Sequence, residues 1–156
     1  MISIIIPTYN NSKQLINTIH SISNQNYDNI EIIIIDDAST DDTKGQIEKL
    51  KNKKIKYYYN VDNLGTTQSR LRGIKHASGE YVAFLDHDDF WINDKLTIQY
   101  ECFKNKKLDF VISNYIVNDL VNNNHYERNM NAFGEDFKYN IIRNPGPFFQ
   151  CLSLIH

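Results

Sequence analysis

Three aspartates, Asp86, Asp88 and Asp89, close the apolar run Tyr81-Val82-Ala83-Phe84-Leu85. A strand buried in a sheet has no use for such a cluster, because unpaired buried charge is expensive. Carboxylates crowded at a strand tip call for a cation. Asp86 and Asp88 flank a single residue and can turn toward one point once the chain leaves the sheet. Oxygen-only ligation of this kind suits Mg2+ or Mn2+, with water and phosphate oxygens completing the shell. The chemistry this predicts is metal-assisted handling of a phosphorylated substrate.

The elements that must position these groups read as alternating strand and helix. Ile2 to Ile6 is a continuous β-branched run, as expected for a strand covered on both faces. Ser12 is placed to cap a helix whose Leu15, Ile16, Ile19 and Ile22 form one apolar stripe. Glu31 to Asp36 is a second buried strand. Ser39 and Asp42 form a capping-box-like start to a short helix carrying Ile47 and Leu50. Strands are predicted at 55–59, 81–85 and 110–115, with helices from about Thr66 to His76 and after Asp94. Gly79 reads as a helix C-terminal cap. The alternation predicts an α/β fold, a mostly parallel sheet with helices on both faces and right-handed crossovers. In such sheets ligands bind beyond the carboxyl ends of the strands. The first, second and fourth strands end in Thr8-Tyr9-Asn10, Asp36-Asp37 and the aspartate cluster. After about Asn118 the pattern dissolves, with 122–124 reading as a loop.

Composition narrows the classes. At 156 residues, 41% apolar and formal net charge −2, the chain is one ordinary globular unit. That charge gives no reason to expect nucleic acid or an anionic membrane as partner. The apolar start ends at Pro7, too short for a signal peptide or a transmembrane segment. Cys102 and Cys151 lack thiolate-site spacing and read as buried free thiols. A phosphoacceptor signalling domain would need an acidic pair after the first strand and a Lys after the fifth, where Pro-Thr-Tyr and Asn114-Tyr115 stand. A dinucleotide-binding oxidoreductase would need glycines between Pro7 and Ser12, and there are none.

A set of motifs now falls into order. Pro7-Thr8-Tyr9-Asn10 closes the first strand, and Asp36-Asp37-Ala38-Ser39-Thr40-Asp41 the second. Asn63-Leu64-Gly65, Ser69-Arg70 and Gly73 lead into Ala77-Ser78-Gly79-Glu80-Tyr81 and Phe84-Leu85-Asp86-His87-Asp88-Asp89. In that order and spacing the chain resembles the family 2 glycosyltransferases of GT-A fold, over roughly its first three-quarters. The resemblance implies transfer of a sugar from a nucleotide diphosphate donor, usually with inversion. UDP is the commonest nucleotide, and Mn2+ or Mg2+ the cofactor. The acceptor would be a glycan or lipid-linked glycan in bacterial surface polysaccharide or glycoconjugate biosynthesis. The expected location is cytoplasmic, with a peripheral seat at the inner face of the membrane as an option.

Residue by residue, the resemblance places Pro7 and Tyr9 in the nucleobase pocket, Tyr9 against the base. Asp37 would accept from the base imide with Asp36 supporting it; the alternative for the pair is capping and loop hydrogen bonding. Gly65 would let the backbone pass close to the donor, with Asn63 fixing the turn. Arg70 would face the nucleotide or pair with Asp37 or Asp86, while Arg72 faces solvent. Asp86 would contact the ribose or the metal, and Asp88 the metal. His87 takes the variable middle position, its side chain expected to point elsewhere. Trp91 packs in the core or near the acceptor sugar.

Inverting transfer also needs a carboxylate base. Glu135-Asp136 imitates the acidic pair that supplies it, with Asp136 the candidate, but arrives early in the chain. The expectation is therefore a donor-binding domain over 1–117 and the start of an incomplete acceptor-side region over 118–156, C-terminally truncated and lacking its base. The competing expectation is a shortened homologue that binds nucleotide-sugar without transferring it.

Overall fold

Every residue of β1 (Ile2–Thr8) and β2 (Ile30–Asp36) is buried, as their unbroken β-branched runs require. The computed structural model of the chain describes residues 1–106, 110–113, 115–119, 124–128 and 151–154. β1 pairs in parallel with β2 and with β4 (Tyr81–Phe84), and β2 with β3 (Ile55–Tyr59). The six-stranded sheet runs β3-β2-β1-β4-β8-β5, where β5 is Phe110–Ile112 and β8 is Cys151–Leu154. Only β8 opposes its neighbours, pairing antiparallel with β4 and β5. The sheet is therefore mostly parallel, as the alternating pattern predicts.

Alternate residues of the central strands serve two cores. Ile2, Ile4, Ile6, Ile32 and Ile34 pack with Leu15, Ile19 and Ile22 of α1 (Ser12–Ser23) and with Ile47 of α2 (Thr43–Lys49). Leu96 and Phe103 of α4 (Lys95–Lys106) and Trp91 join the same cluster. Ile5, Ile33, Ile35 and Val82 meet Ile74 of α3 (Thr66–His76) on the other face. Each such side chain stabilises the fold by roughly 1.5–3 kcal/mol.

Several local readings change. α1 has Asn11 rather than Ser12 at its N-cap, and Ser12 N–H instead donates to Asp41 Oδ2 at 3.0 Å. α2 starts at Thr43, and the Ser39 hydroxyl is used by Asn10 N–H at 2.9 Å. α3 ends at His76, so Gly79 caps nothing. A Cβ there would lie 2.8 Å from Met1 O and Ser3 N, so the glycine serves close approach to β1. Cys102 is a free thiol, half-buried rather than buried. Beyond α4, β5 stops at Ile112, and β6 (Tyr115–Asp119) pairs antiparallel with β7 (Asn124–Arg128) as a separate two-stranded sheet.

Candidate functional site

The register brings the strand ends level. Thr8 lies opposite Asp36, Asp36 opposite Tyr59, and Ile5 opposite Phe84. The ladder runs on past the strands, with Asp37 N–H on Thr8 O at 2.8 Å and Leu85 N–H on Ile5 O at 3.1 Å. The segments beyond β1, β2 and β4 therefore leave the sheet side by side. Together with the start of α3 they bound a hollow of about 240 Å3 lined by Pro7, Thr8, Tyr9, Asp37, Thr66, Asp86, His87 and Asp88. Pockets that enclose a small molecule run to ~300–1,000 Å3, so a nucleotide-sized ligand would lie partly outside these walls. Tyr9 stands 46% exposed, a large aromatic face left open at the rim.

Asp37 is the hub of one wall. Its Oδ1 accepts from Asn60 Nδ2 at 2.6 Å and Leu64 N–H at 3.0 Å, and its Oδ2 from Gly65 N–H at 2.7 Å. Burial pushes its carboxyl up, but these donors and Ser69 outweigh it and hold Asp37 below its ordinary value. The turn that Asn63 was expected to fix is thus held by Asp37, with Asn63 exposed at the surface. Gly65 takes φ +82°, a conformation that favours glycine, and leads straight into α3. Asp36 does not line the hollow. It is buried and holds Ser39 N–H at 2.8 Å and the Tyr57 hydroxyl at 2.5 Å. Burial and that bond to Asp36 raise the Tyr57 pKa. Arg72, expected in solvent, donates to Tyr59 O at 2.8 Å and to the Asn60 side chain.

The opposite wall is acidic. Arg70 Nη2 pairs with Asp86 Oδ1 at 2.5 Å, both side chains only 20% exposed. The guanidinium therefore reaches the hollow through Asp86. Asp88 is exposed, and no described residue pairs with its carboxylate. His87 also lines the hollow, and its Nδ1 lies 3.2 Å from Pro7 O. A carbonyl only accepts, so Nδ1 carries the proton. Trp91 is 4% exposed in the core, where its indole also meets the Lys95 ammonium.

These groups fit a divalent cation of a particular kind. Among the described residues no group of three or more His, Cys, Asp or Glu gathers to hold a metal ion. Asp88, with the second oxygen of Asp86, would supply at most two carboxylates. Mg2+ is commonly held that way, by one or two carboxylates plus substrate phosphates and water. The candidate base Asp136 and its neighbour Glu135 lie outside the described residues.

The loops after β1 and β2 are laced together. Asn10 Oδ1 accepts from Thr40 N–H at 2.7 Å, and Asp41 bonds both Ser12 N–H and Thr43 N–H. Within this laced loop Ala38 takes φ +69°. An L-residue there costs ~1–2 kcal/mol, against ~0.4–1 kcal/mol for the extra unfolded-state freedom of glycine. Ala38→Gly is therefore expected to raise the thermal midpoint by about 1–3 °C. A lower midpoint in a melting curve would refute the strain.

Comparison with known proteins gives consistent matches. The profile of Glycosyl transferase family 2 matches residues 3–154. The chain is 41% identical over 117 residues to the UDP-Glc:alpha-D-GlcNAc-diphosphoundecaprenol beta-1,3-glucosyltransferase WfaP of Escherichia coli, covering 75% of this chain and 47% of that protein. It is 37% identical over 118 residues to the putative teichuronic acid biosynthesis glycosyltransferase TuaG of Bacillus subtilis, covering 74% and 46%. Among solved structures, S. aureus TarS 1-349 in complex with UDP-GlcNAc superposes with a TM-score of 0.68 at 30% identity, over 71% of this chain and 33% of that one. The chain spans about half the length of the curated relatives it matches.

Proposed function

The chain belongs to glycosyl transferase family 2 and has its GT-A fold, and from that premise we propose that it binds a nucleotide-diphosphate sugar at the β-strand carboxyl edge for metal-assisted transfer. One observation carries the reading: Tyr9, Asp37 and Asp88, from three separate βα junctions, share a single hollow. UDP is the proposed nucleotide, supported by a TarS structure holding UDP-GlcNAc and a WfaP relative named for UDP-Glc. Tyr9 would stack on the base beside Pro7. Asp37, held ionised by the 60–65 loop, keeps lone pairs for a base N–H. Asn63 and Gly65, which do not line the hollow itself, are proposed to border the donor from that loop.

Asp86, braced by Arg70, is proposed for the ribose or as a second metal ligand, and Asp88 for the metal. A bound Mn2+ or Mg2+ supplies charge neutralisation for a departing diphosphate. The chain's own task is to present Asp88, with which no described residue pairs, beside an Asp86 held by Arg70. The acceptor is proposed as a glycan or lipid-linked glycan of a surface polysaccharide, with inversion at the transferred carbon. Residues 1–117 form the donor half and 118–156 open the acceptor side, β8 tying the latter to the donor sheet. Among the described residues no helix is long and apolar enough to cross a membrane. A seat in the cytoplasm or at the inner membrane face is part of the proposal.

A second reading is favoured by the open hollow: binding of donor without transfer by these 156 residues. Thermal unfolding with UDP, GDP and dTDP, each with and without Mn2+, tests the first claim. Stabilisation by one nucleotide, and only with metal, is expected; no shift with any of the three would sink it. Product formation from the UDP-sugar then separates transfer from binding alone.

A further inference from the structure

Helix α1 and the residue pair just past its end carry a buried polar row that no apolar stripe explains. Thr18, Ser21 and Gln25 recur at i, i+3 and i+7, and Thr18 and Gln25 are 1% and 7% exposed. Burying such groups costs free energy unless their hydrogen bonds are made. All three make them to the main chain that follows β4. Gln25 Nε2 donates to Ile92 O at 2.7 Å, and its Oε1 accepts Leu96 N–H at 3.1 Å. Ser21 Oγ accepts Trp91 N–H at 3.1 Å while donating to Thr18 O at 2.7 Å.

Thr18 stands apart within this row. Its Oγ1 lies 2.8 Å from His87 O and 2.7 Å from Asp89 O, the two carbonyls that bracket Asp88. Asp89 N–H on Asp86 O at 3.1 Å closes the turn from the other side. The Gln25 and Ser21 bonds would suffice to dock the loop on the helix. A hydroxyl shared between the carbonyls on either side of Asp88 has a narrower reach: it holds the turn from which that carboxylate leaves the backbone. Thr18 itself does not line the hollow.

We infer that Thr18, braced by Ser21 and Gln25, is a positioning residue for Asp88, fixing the turn that aims its carboxylate at the metal and so setting metal affinity without touching metal or nucleotide. The inference rests on the metal-assisted reading above. Outer-shell partners of metal ligands work this way, and their loss typically weakens metal binding about 10–100-fold.

The test titrates Mn2+ into the 156-residue chain with UDP present and, separately, follows amide hydrogen exchange of residues 86–92 without ligand. In Thr18→Val those amides are expected to exchange about tenfold faster while β1 and β2 are unmoved, since local openings are independent of global unfolding. The apparent Mn2+ dissociation constant is expected to rise at least about tenfold. UDP binding without Mn2+ stays as in the wild type, and Thr18→Ser, which keeps the hydroxyl, restores both readouts. A purely structural Thr18 would lower the melting point without this Mn2+-specific split. Unchanged exchange at 86–92 overturns the inference, and so does faster exchange with an unchanged Mn2+ constant. A wild-type chain that binds UDP indifferently to Mn2+ overturns the metal-assisted reading and this inference together, and the wild-type titration alone identifies that case. Should Thr18→Val fail to fold, Ser21→Ala removes the brace and the Trp91 acceptor. A smaller shift in the same direction is then expected, and no shift overturns the inference.

Discussion

Asp88→Ala is expected to abolish Mn2+-dependent stabilisation by UDP while leaving the melting point of the unliganded chain within about 1 °C of wild type. The two halves come from the same fact. Asp88 is exposed and bonded to no described side chain, so folding gains nothing from its carboxylate; such surface changes usually stay within about ±0.5 kcal/mol. Among the described residues nothing uses this carboxylate, which leaves it for a ligand. A ligand at 100 times its dissociation constant stabilises by about 2.7 kcal/mol, roughly 5–11 °C for a domain of this size. Losing a principal metal ligand should erase that shift.

Asp86→Ala supplies the contrast. It removes one carboxylate contact from a guanidinium only 20% exposed, so it should lower the unliganded midpoint as well as the ligand response. A scanning-calorimetry series of wild type, Asp88→Ala and Asp86→Ala, each with UDP and Mn2+, separates them. Equal ligand shifts in wild type and Asp88→Ala would remove the metal from the proposal.

The difference between these two aspartates shows what sequence could and could not supply. Motif spacing places both at the end of one strand, and the strand register delivers them to the hollow with Tyr9 and Asp37. Spacing left the partner of Arg70 open between Asp37 and Asp86, because the guanidinium reaches Asp86 from another element. The same limit left Asp37 between a base contact and loop hydrogen bonding, and hid the contact of His87 with Pro7 O. Both depend on backbone donors and acceptors brought from distant segments, and every residue type has those.

Strands were legible where a β-branched run is long, as at Ile2–Thr8 and Ile30–Asp36. They were not where pairing is short and non-local, as at Cys151–Leu154, four residues inserted beside β4. Polar residues on an amphipathic helix were the least readable of all. Thr18 looks like a solvent-facing break in the Leu15-Ile19-Ile22 stripe, yet lies buried against the loop after β4, as does Gln25 just past the helix.

Glu31 was another such residue, read as the polar start of a strand, and it carries the second large expected effect. It lies 5% exposed at the end of the sheet remote from the hollow. Its Oε1 accepts the Ser3 hydroxyl at 2.5 Å and Ser78 N–H at 2.6 Å, and its Oε2 meets Lys56 Nζ at 2.6 Å. Ser3 Oγ in turn accepts Gly79 N–H at 2.8 Å. One carboxylate thus fastens β1, β2, β3 and the turn entering β4. Glu31→Ala leaves several of these donors without an acceptor, at ~1–3 kcal/mol for each one stranded, so a loss of about 3 kcal/mol is expected. The melting point should fall by roughly 6–12 °C.

The pH dependence follows from the same contacts. Burial pushes the Glu31 carboxyl up, but Lys56, Ser3 and Ser78 N–H outweigh it and hold the folded value below the ordinary 4.5. A folded carboxyl more acidic than its unfolded counterpart contributes stability above the unfolded value and loses it as pH falls through the folded one. Asp37 and Asp41 are lowered too, so acid destabilises the chain through several groups. The difference between wild type and Glu31→Gln isolates this one. Above about pH 5 the wild type should be more stable by a constant margin, and below about pH 4.5 that margin should shrink steadily. Urea-unfolding curves for the two proteins that run parallel from pH 7 to pH 3 would show that the Glu31 charge contributes nothing to the seam.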